Sequence, residues 1–161
     1  MLSPTTNDVV AELLSIRSSG GYATSSEAAE TLLRSAKRGQ TAVLKDDFER
    51  PAGYIAWARI NKESYVNFIN SGKFPKYHYE WAEGHIILLA DVVAYQGAAK
   101  FLRRLLLECF GGHRVVVFVR ASVVSVYARR RGRFCLVSRT PVSVRPAAPA
   151  GGRTAYQSKP L

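Results

Sequence analysis

One acid stands in an apolar run, Ile86-Ile87-Leu88-Leu89-Ala90-Asp91-Val92-Val93-Ala94, bounded by Gly84 and Gly97. A run this rich in β-branched residues predicts a strand covered on both faces. A carboxylate there is costly unless it is paired, hydrogen-bonded or neutralised. Two roles are open to Asp91: a buried structural anchor, or part of a site that uses its charge. The other candidates for chemistry are fewer. His85 begins the same run, but six strand residues span about 20 Å, so it cannot touch Asp91. A surface or structural role suits it better. His78 lies in the aromatic stretch Tyr77-His78-Tyr79-Glu80-Trp81, which suits edge packing more than a lid over a ligand. His113, beside Gly112, reads as a helix-exit residue. Cys109 and Cys135 have no metal-ligand spacing and read as buried thiols of a reducing cytoplasm. Gly20-Gly21 and Gly111-Gly112 lack the lysine and hydroxyl of phosphate-binding loops. No metal site and no tightly bound cofactor are expected.

The charge is unevenly placed. Residues 1–100 balance 11 Lys and Arg against 11 Asp and Glu, whereas residues 101–161 set 12 against the single Glu108. The whole net charge of +11 therefore sits in the last third. Its focus is Arg129-Arg130-Arg131-Gly132-Arg133, with Arg103 and Arg104 upstream. A basic third on a neutral body implies an acidic partner. With Tyr127 and Phe134 nearby, a nucleic-acid-binding module is one reading. No groove-reading helix or RNA-binding signature accompanies it.

The elements that must position these residues follow from periodicity and punctuation. Asp8–Arg17 has helical spacing with Asn7 or Asp8 as cap, and Ser18-Ser19-Gly20-Gly21 stops it. A second helix starts at Thr24 or Ser25 and ends near Gly39. Gln40–Lys45 and Ala52–Ile60 read as a hairpin, and Asn61 or Ser64 caps a short helix to about Asn70. The Asp91 strand comes next, then an amphipathic helix over 98–110. Segments 114–120, 122–127 and 134–138 are β-rich. Tyr54, Trp57 and Phe68 fit core packing better than a ligand groove. This order predicts one α/β domain with a mixed sheet over 1–139. Residues 140–161 hold four of the seven prolines and read as a basic, disordered tail. No stretch approaches the ~20 apolar residues of a membrane span, and the N-terminus has no secretory pattern.

Two blocks in this framework resemble one family. Gln40-Thr41-Ala42-Val43-Leu44, a turn, then Pro51-Ala52-Gly53-Tyr54-Ile55-Ala56-Trp57-Ala58 is similar to the strand-turn-strand of the toxin-activating lysine acyltransferases. Leu88 to Gly97 is similar to that family's apolar strand with one catalytic aspartate. The resemblance covers about residues 8–138. It implies a GNAT-like acyltransferase fold, a mixed sheet flanked by helices. It implies transfer of a fatty acyl group from acyl carrier protein, the acyl donor, to a lysine ε-amine of a toxin-like protein in the cytoplasm. Asp91 matches the family's aspartate. The family's basic histidine falls near Gly20, Gly21 or Tyr22, where this chain has none; Tyr22 is the only side chain there with a proton to exchange. Tyr95-Gln96 stands where the family has Pro-Phe. Arg103, Arg104, Arg129, Arg130, Arg131 and Arg133 would meet the acidic carrier. A catalytically inactive interaction protein of the same fold is the alternative, and a homodimer is compatible with either.

Overall fold

The computed structural model describes residues 4–77, 79–120 and 123–141. Two helices, α1 (Thr6–Ser19) and α2 (Ser26–Ala36), precede the hairpin β1 (Thr41–Lys45) and β2 (Pro51–Ile60). Helix α3 (Lys62–Ser71) and a short 3-10 turn (Tyr79–Trp81) lead to β3 (Ile86–Ala94). Helix α4 (Ala99–Phe110), β4 (Val115–Arg120), β5 (Val123–Arg130) and β6 (Arg133–Pro141) follow. Among the described residues the sheet runs β1-β2-β3-β4-β5-β6. Every neighbouring pair is antiparallel except β3 and β4, which are parallel and joined through α4. The expected α/β fold with a mixed sheet flanked by helices is what forms.

Local chemistry sets the ends. The cap of α1 is Thr5, not Asn7 or Asp8: its hydroxyl accepts from the Asp8 amide, and the Asp8 carboxylate accepts from the Thr5 amide. Asp8 thus sits three residues inside, closing a reciprocal capping box. Ser25 caps α2 and Asn61 caps α3. Asp46 ties the β1–β2 turn by accepting from the Phe48 and Arg50 amides at 2.8 and 3.0 Å. Gly53 is demanded by the sheet: it takes φ +148°, and a Cβ there would lie 2.1 Å from the Val93 carbonyl oxygen.

The last two strands are longer than the sequence reading had them. Arg129 and Arg130 end β5 and Arg133 opens β6, leaving a two-residue turn at Arg131 (φ 47°) and Gly132 (φ 78°). Both residues take the left-handed region, as a tight hairpin requires. Strand β6 includes Thr140 and Pro141; residues 142–161 lie outside the described residues. As the edge strand, β6 leaves Leu136 and Val137 exposed. It exposes Cys135 as well, so only Cys109 is part-buried.

The core has two sides because strand side chains alternate. On one face, Leu13, Ile16 and Leu32 from α1 and α2 pack on Tyr54, Ala56 and Val93. Alongside them, Phe68 and Trp81 cover Ala58, Ile60, Leu88, Val117 and Val124. Burying side chains of this size contributes about 1.5–3 kcal/mol each. On the other face, α4 lays Phe110 and its leucines over Ile55, Ile87, Leu89 and Val116. Trp57 meets Phe110 edge-on at 5.0 Å. Phe68 and Trp57 are therefore packing residues, as expected. The stretch after Tyr77 also packs: Trp81 is buried and its indole donates to the Pro75 carbonyl at 2.9 Å. His78 lies outside the described residues.

Candidate active site

Which face Asp91 points to is decided by an irregularity. Along β2 and β3 the pairs Ala58↔Leu88 and Trp57↔Leu89 are followed by Ala56↔Asp91. Ala90 is the extra residue, and the bulge advances the alternation by one. In a regular strand Asp91 would share the α4 face with Leu89 and Ile87. With the bulge it joins Tyr54, Ala56 and Val93 on the face covered by α1.

There it meets two partners from distant parts of the chain. Arg17, in the last turn of α1, donates through one guanidinium nitrogen to Asp91 Oδ2 at 2.6 Å and to the Tyr54 hydroxyl at 3.0 Å. The Tyr54 hydroxyl donates to the same Oδ2 at 2.7 Å. A second Arg17 nitrogen donates to the Ala23 carbonyl at 2.8 Å, which pins the loop after α1. The Arg17 and Asp91 side chains are only 14% and 18% exposed, so the pair is largely desolvated without being sealed. Burial, then donation to Asp91, pushes the Tyr54 phenol above its ordinary range against the opposing effect of Arg17. It therefore stays a donor at any physiological pH. Burial pulls the Arg17 guanidinium down, but Tyr54 and Asp91 outweigh it and hold it above its usual value. Oδ2 is saturated by this triangle, whereas Oδ1 accepts no hydrogen bond from any described residue.

The site also lies at a seam in the sheet. Pairing between β3 and β4 covers Ile86–Leu89 against Val115–Phe118 and ends there. Strand β3 nevertheless runs on to Ala94 and β4 to Arg120. Beyond Leu89 and Phe118, at the level of Ala90 and Asp91, the two parallel strands are no longer paired.

Tyr22 is exposed, and its hydroxyl donates to the Ala94 carbonyl at 3.3 Å, three residues beyond Asp91 on β3. It packs with Gly20 and Tyr95 at the same end of the strand without bonding to Asp91. The Tyr95 hydroxyl donates to the Ile16 carbonyl at 2.8 Å, tying the exit of β3 to α1. His85 is exposed at the opposite end of β3. His113 follows α4 and edges the Phe110 ring at 6.3 Å. Neither belongs to the Asp91 cluster.

Matching this layout against known families decides the lineage. The model of the RTX toxin acyltransferase family matches residues 12–130, about three quarters of the chain. The chain belongs to the RTX toxin acyltransferase family. The match runs from the middle of α1 to the end of β5, so it takes in Arg17, Tyr22, Tyr54 and Asp91. No curated protein matches the chain. The six arginines expected at a partner surface divide into three groups. Arg103 and Arg133 line one groove between α4 and the sheet. Arg129, Arg130 and Arg131 stand exposed at the β5–β6 hairpin tip. Arg104 lies on another side of α4, 3.7 Å from Glu108. No helix among the described residues is long and apolar enough to cross a membrane.

Arg17 and Tyr54 were not among the site residues that the sequence suggested. A signal for Arg17 exists: Val9, Leu13 and Arg17 recur every four residues, so the arginine continues the helix's buried stripe. Nothing in the sequence announces the bulge at Ala90.

Proposed function

We propose that this acyltransferase moves a fatty acyl group from acyl carrier protein to a lysine ε-amine of a toxin-like protein in the cytoplasm. The observation that carries the reading is the Arg17–Tyr54–Asp91 triangle, which fixes one carboxylate oxygen and leaves the other without a hydrogen bond from any described residue. The acyl carbonyl carbon of a thioester placed beside Asp91 is attacked by the lysine nitrogen. A C–N bond forms, the C–S bond breaks, and the carrier's sulfur leaves and is protonated to the thiol. A lysine ammonium, with an ordinary pKa of about 10.4, must first give one proton to solvent to become the nucleophile. As the nitrogen attacks it becomes positive, and its second proton passes to the departing sulfur, directly or through water. Asp91 Oδ1 accepts a hydrogen bond from the amine and stabilises that developing charge. Preorganised charge of this kind is a large part of enzymatic rate enhancement. Tyr22, at the same end of β3, contributes its phenol oxygen as a second acceptor where the amine enters.

Incubating the full chain with myristoyl-loaded acyl carrier protein and a lysine-bearing toxin segment tests this reading by intact-mass spectrometry. The expected result is one acyl increment on the acceptor, abolished when the lysine is replaced by arginine. Hydrolysis of the donor with no acceptor adduct would contradict it.

A further inference from the structure

Arg17 offers more hydrogen bonds than its ion pair uses. A guanidinium carries five N–H donors on three nitrogens in one rigid plane. Nε gives its single hydrogen to the Ala23 carbonyl at 2.8 Å. Nη1 donates to both the Tyr54 hydroxyl and Asp91 Oδ2. Nη2 has no hydrogen-bond partner among the described residues, and Asp91 Oδ1 has none either. Both atoms keep some contact with solvent, although the side chains that bear them are largely buried. Each is one carbon removed from the Nη1–Oδ2 contact of 2.6 Å. A free donor and a free acceptor therefore stand side by side on one fixed pair.

That arrangement has a chemical counterpart. When an amine adds to a thioester, two charges appear on neighbouring atoms: the carbonyl oxygen takes the π electron pair and becomes an oxyanion, and the attacking nitrogen becomes positive. Asp91 Oδ1 answers only the second. We propose that Arg17 Nη2 donates to the thioester's carbonyl oxygen and to the oxyanion formed from it, which makes Arg17 a catalytic residue as well as the anchor of Asp91. The inference rests on the acyl-transfer reading above and adds the group that meets the negative charge. The electron pair returns from oxygen to carbon as the C–S bond breaks, and Arg17 keeps its protons throughout, because a guanidinium does not deprotonate in proteins. The donor is held in advance: Ala23, Tyr54 and Asp91 fix the guanidinium plane, so no reorientation accompanies the reaction. A lysine at this position would keep the cation beside Asp91 but has no second nitrogen at a fixed angle.

The test uses the full chain and myristoyl-loaded acyl carrier protein labelled with a heavy carbon isotope at the thioester carbonyl, followed by infrared difference spectroscopy before any acceptor is added. Donation by Nη2 lowers the carbonyl stretch of the bound donor below its value on the free carrier in water. The expected result is that shift in the native protein, kept in Asp91→Asn and lost in Arg17→Lys. With a lysine-bearing acceptor added, Arg17→Lys should transfer about a hundredfold more slowly per folded molecule, in kcat, with KM for both substrates near the native value. Absence of a shift in the native protein would overturn the proposal without any variant, which keeps it testable if Arg17→Lys fails to fold. A shift retained in Arg17→Lys would overturn it, and so would a shift lost equally in Asp91→Asn, by making Arg17 a positioning residue for Asp91 alone. Transfer by the native protein with no carbonyl shift defeats the Arg17 assignment only. A shift that Arg17→Lys abolishes, with no transfer to lysine, upholds donation by Arg17 and defeats the lysine-acceptor reading.

Discussion

Arg17 and Asp91 stand 74 residues apart in the chain and 2.6 Å apart in space. The contact ties the C-terminal turn of α1 to the centre of β3, and Tyr54 closes it from β2. Three elements thus fix one carboxylate. Removing the cation from a largely buried pair leaves an uncompensated charge, which costs about 3–5 kcal/mol when burial is complete. Partial exposure here lowers that figure, so Arg17→Met should lose about 2–3 kcal/mol in chemical denaturation. Arg17→Lys should recover part of the loss, because one ammonium cannot reach Ala23, Tyr54 and Asp91 together. Equal stability of native protein and Arg17→Met would refute the assignment.

Tyr54 makes an alkaline prediction. Its folded pKa is raised above the ordinary value of 10.0. Above about pH 10 the unfolded chain gives up this proton while the folded chain keeps it. The stabilising contribution is therefore complete below pH 10 and is lost as the pH climbs towards the folded value. Tyr54→Phe should start less stable at neutral pH and show a shallower fall in stability above pH 10. Parallel curves for the two proteins would contradict the raised value.

The two thiols should label in order. Cys135 is exposed on β6, whereas Cys109 is half-buried and its thiol is raised by burial, with a smaller contribution from Glu108. The thiolate is the reactive form. With limiting iodoacetamide at neutral pH, peptide mass mapping should show Cys135 modified first. Faster labelling of Cys109 would mean that α4 does not cover it as described.

The hairpin tip should matter for encounter more than for fold. Arg129, Arg130 and Arg131 are exposed and make no ion pair among the described residues. Replacing all three by alanine should slow association with acyl carrier protein severalfold and flatten its salt dependence, with the melting temperature unmoved. Rate and salt dependence matching the native protein would remove these residues from the docking surface. Tighter salt-dependent binding of DNA than of the carrier would favour the nucleic-acid reading instead.

Much of this was legible in the residues. The apolar run around Asp91, the hairpin before it and the amphipathic helix after it fix the central layers, because their periods differ and glycines mark the joins. The basic hairpin was legible as charge, but the length of its strands was not. Arg129 to Arg133 fall between the β-rich segments 122–127 and 134–138, yet pairing between β5 and β6 holds all but two of them extended. The site was half legible. Asp91 stands out by cost alone, since an acid in such a strand needs a partner. Its partners do not, because Arg17 resembles an ordinary cation at a helix end and Tyr54 an ordinary core aromatic. The bulge that brings them together arises from pairing between β2 and β3, and no local residue pattern encodes it. With Ala90 inserted, the two halves of the Asp91 strand face opposite ways.

The central claim is that Asp91 is held by Arg17 and Tyr54 so that its remaining oxygen serves acyl transfer. The direct measurement is the transfer rate of Asp91→Asn against the native protein, by intact mass, per folded molecule. Asparagine keeps an acceptor for Tyr54 and Arg17 but loses the charge, so stability should drop by about 1.5–3 kcal/mol. The rate per folded molecule should fall tenfold or more beyond that loss. A variant that is destabilised yet transfers at the native rate per folded molecule would contradict the account and leave Asp91 a structural anchor only.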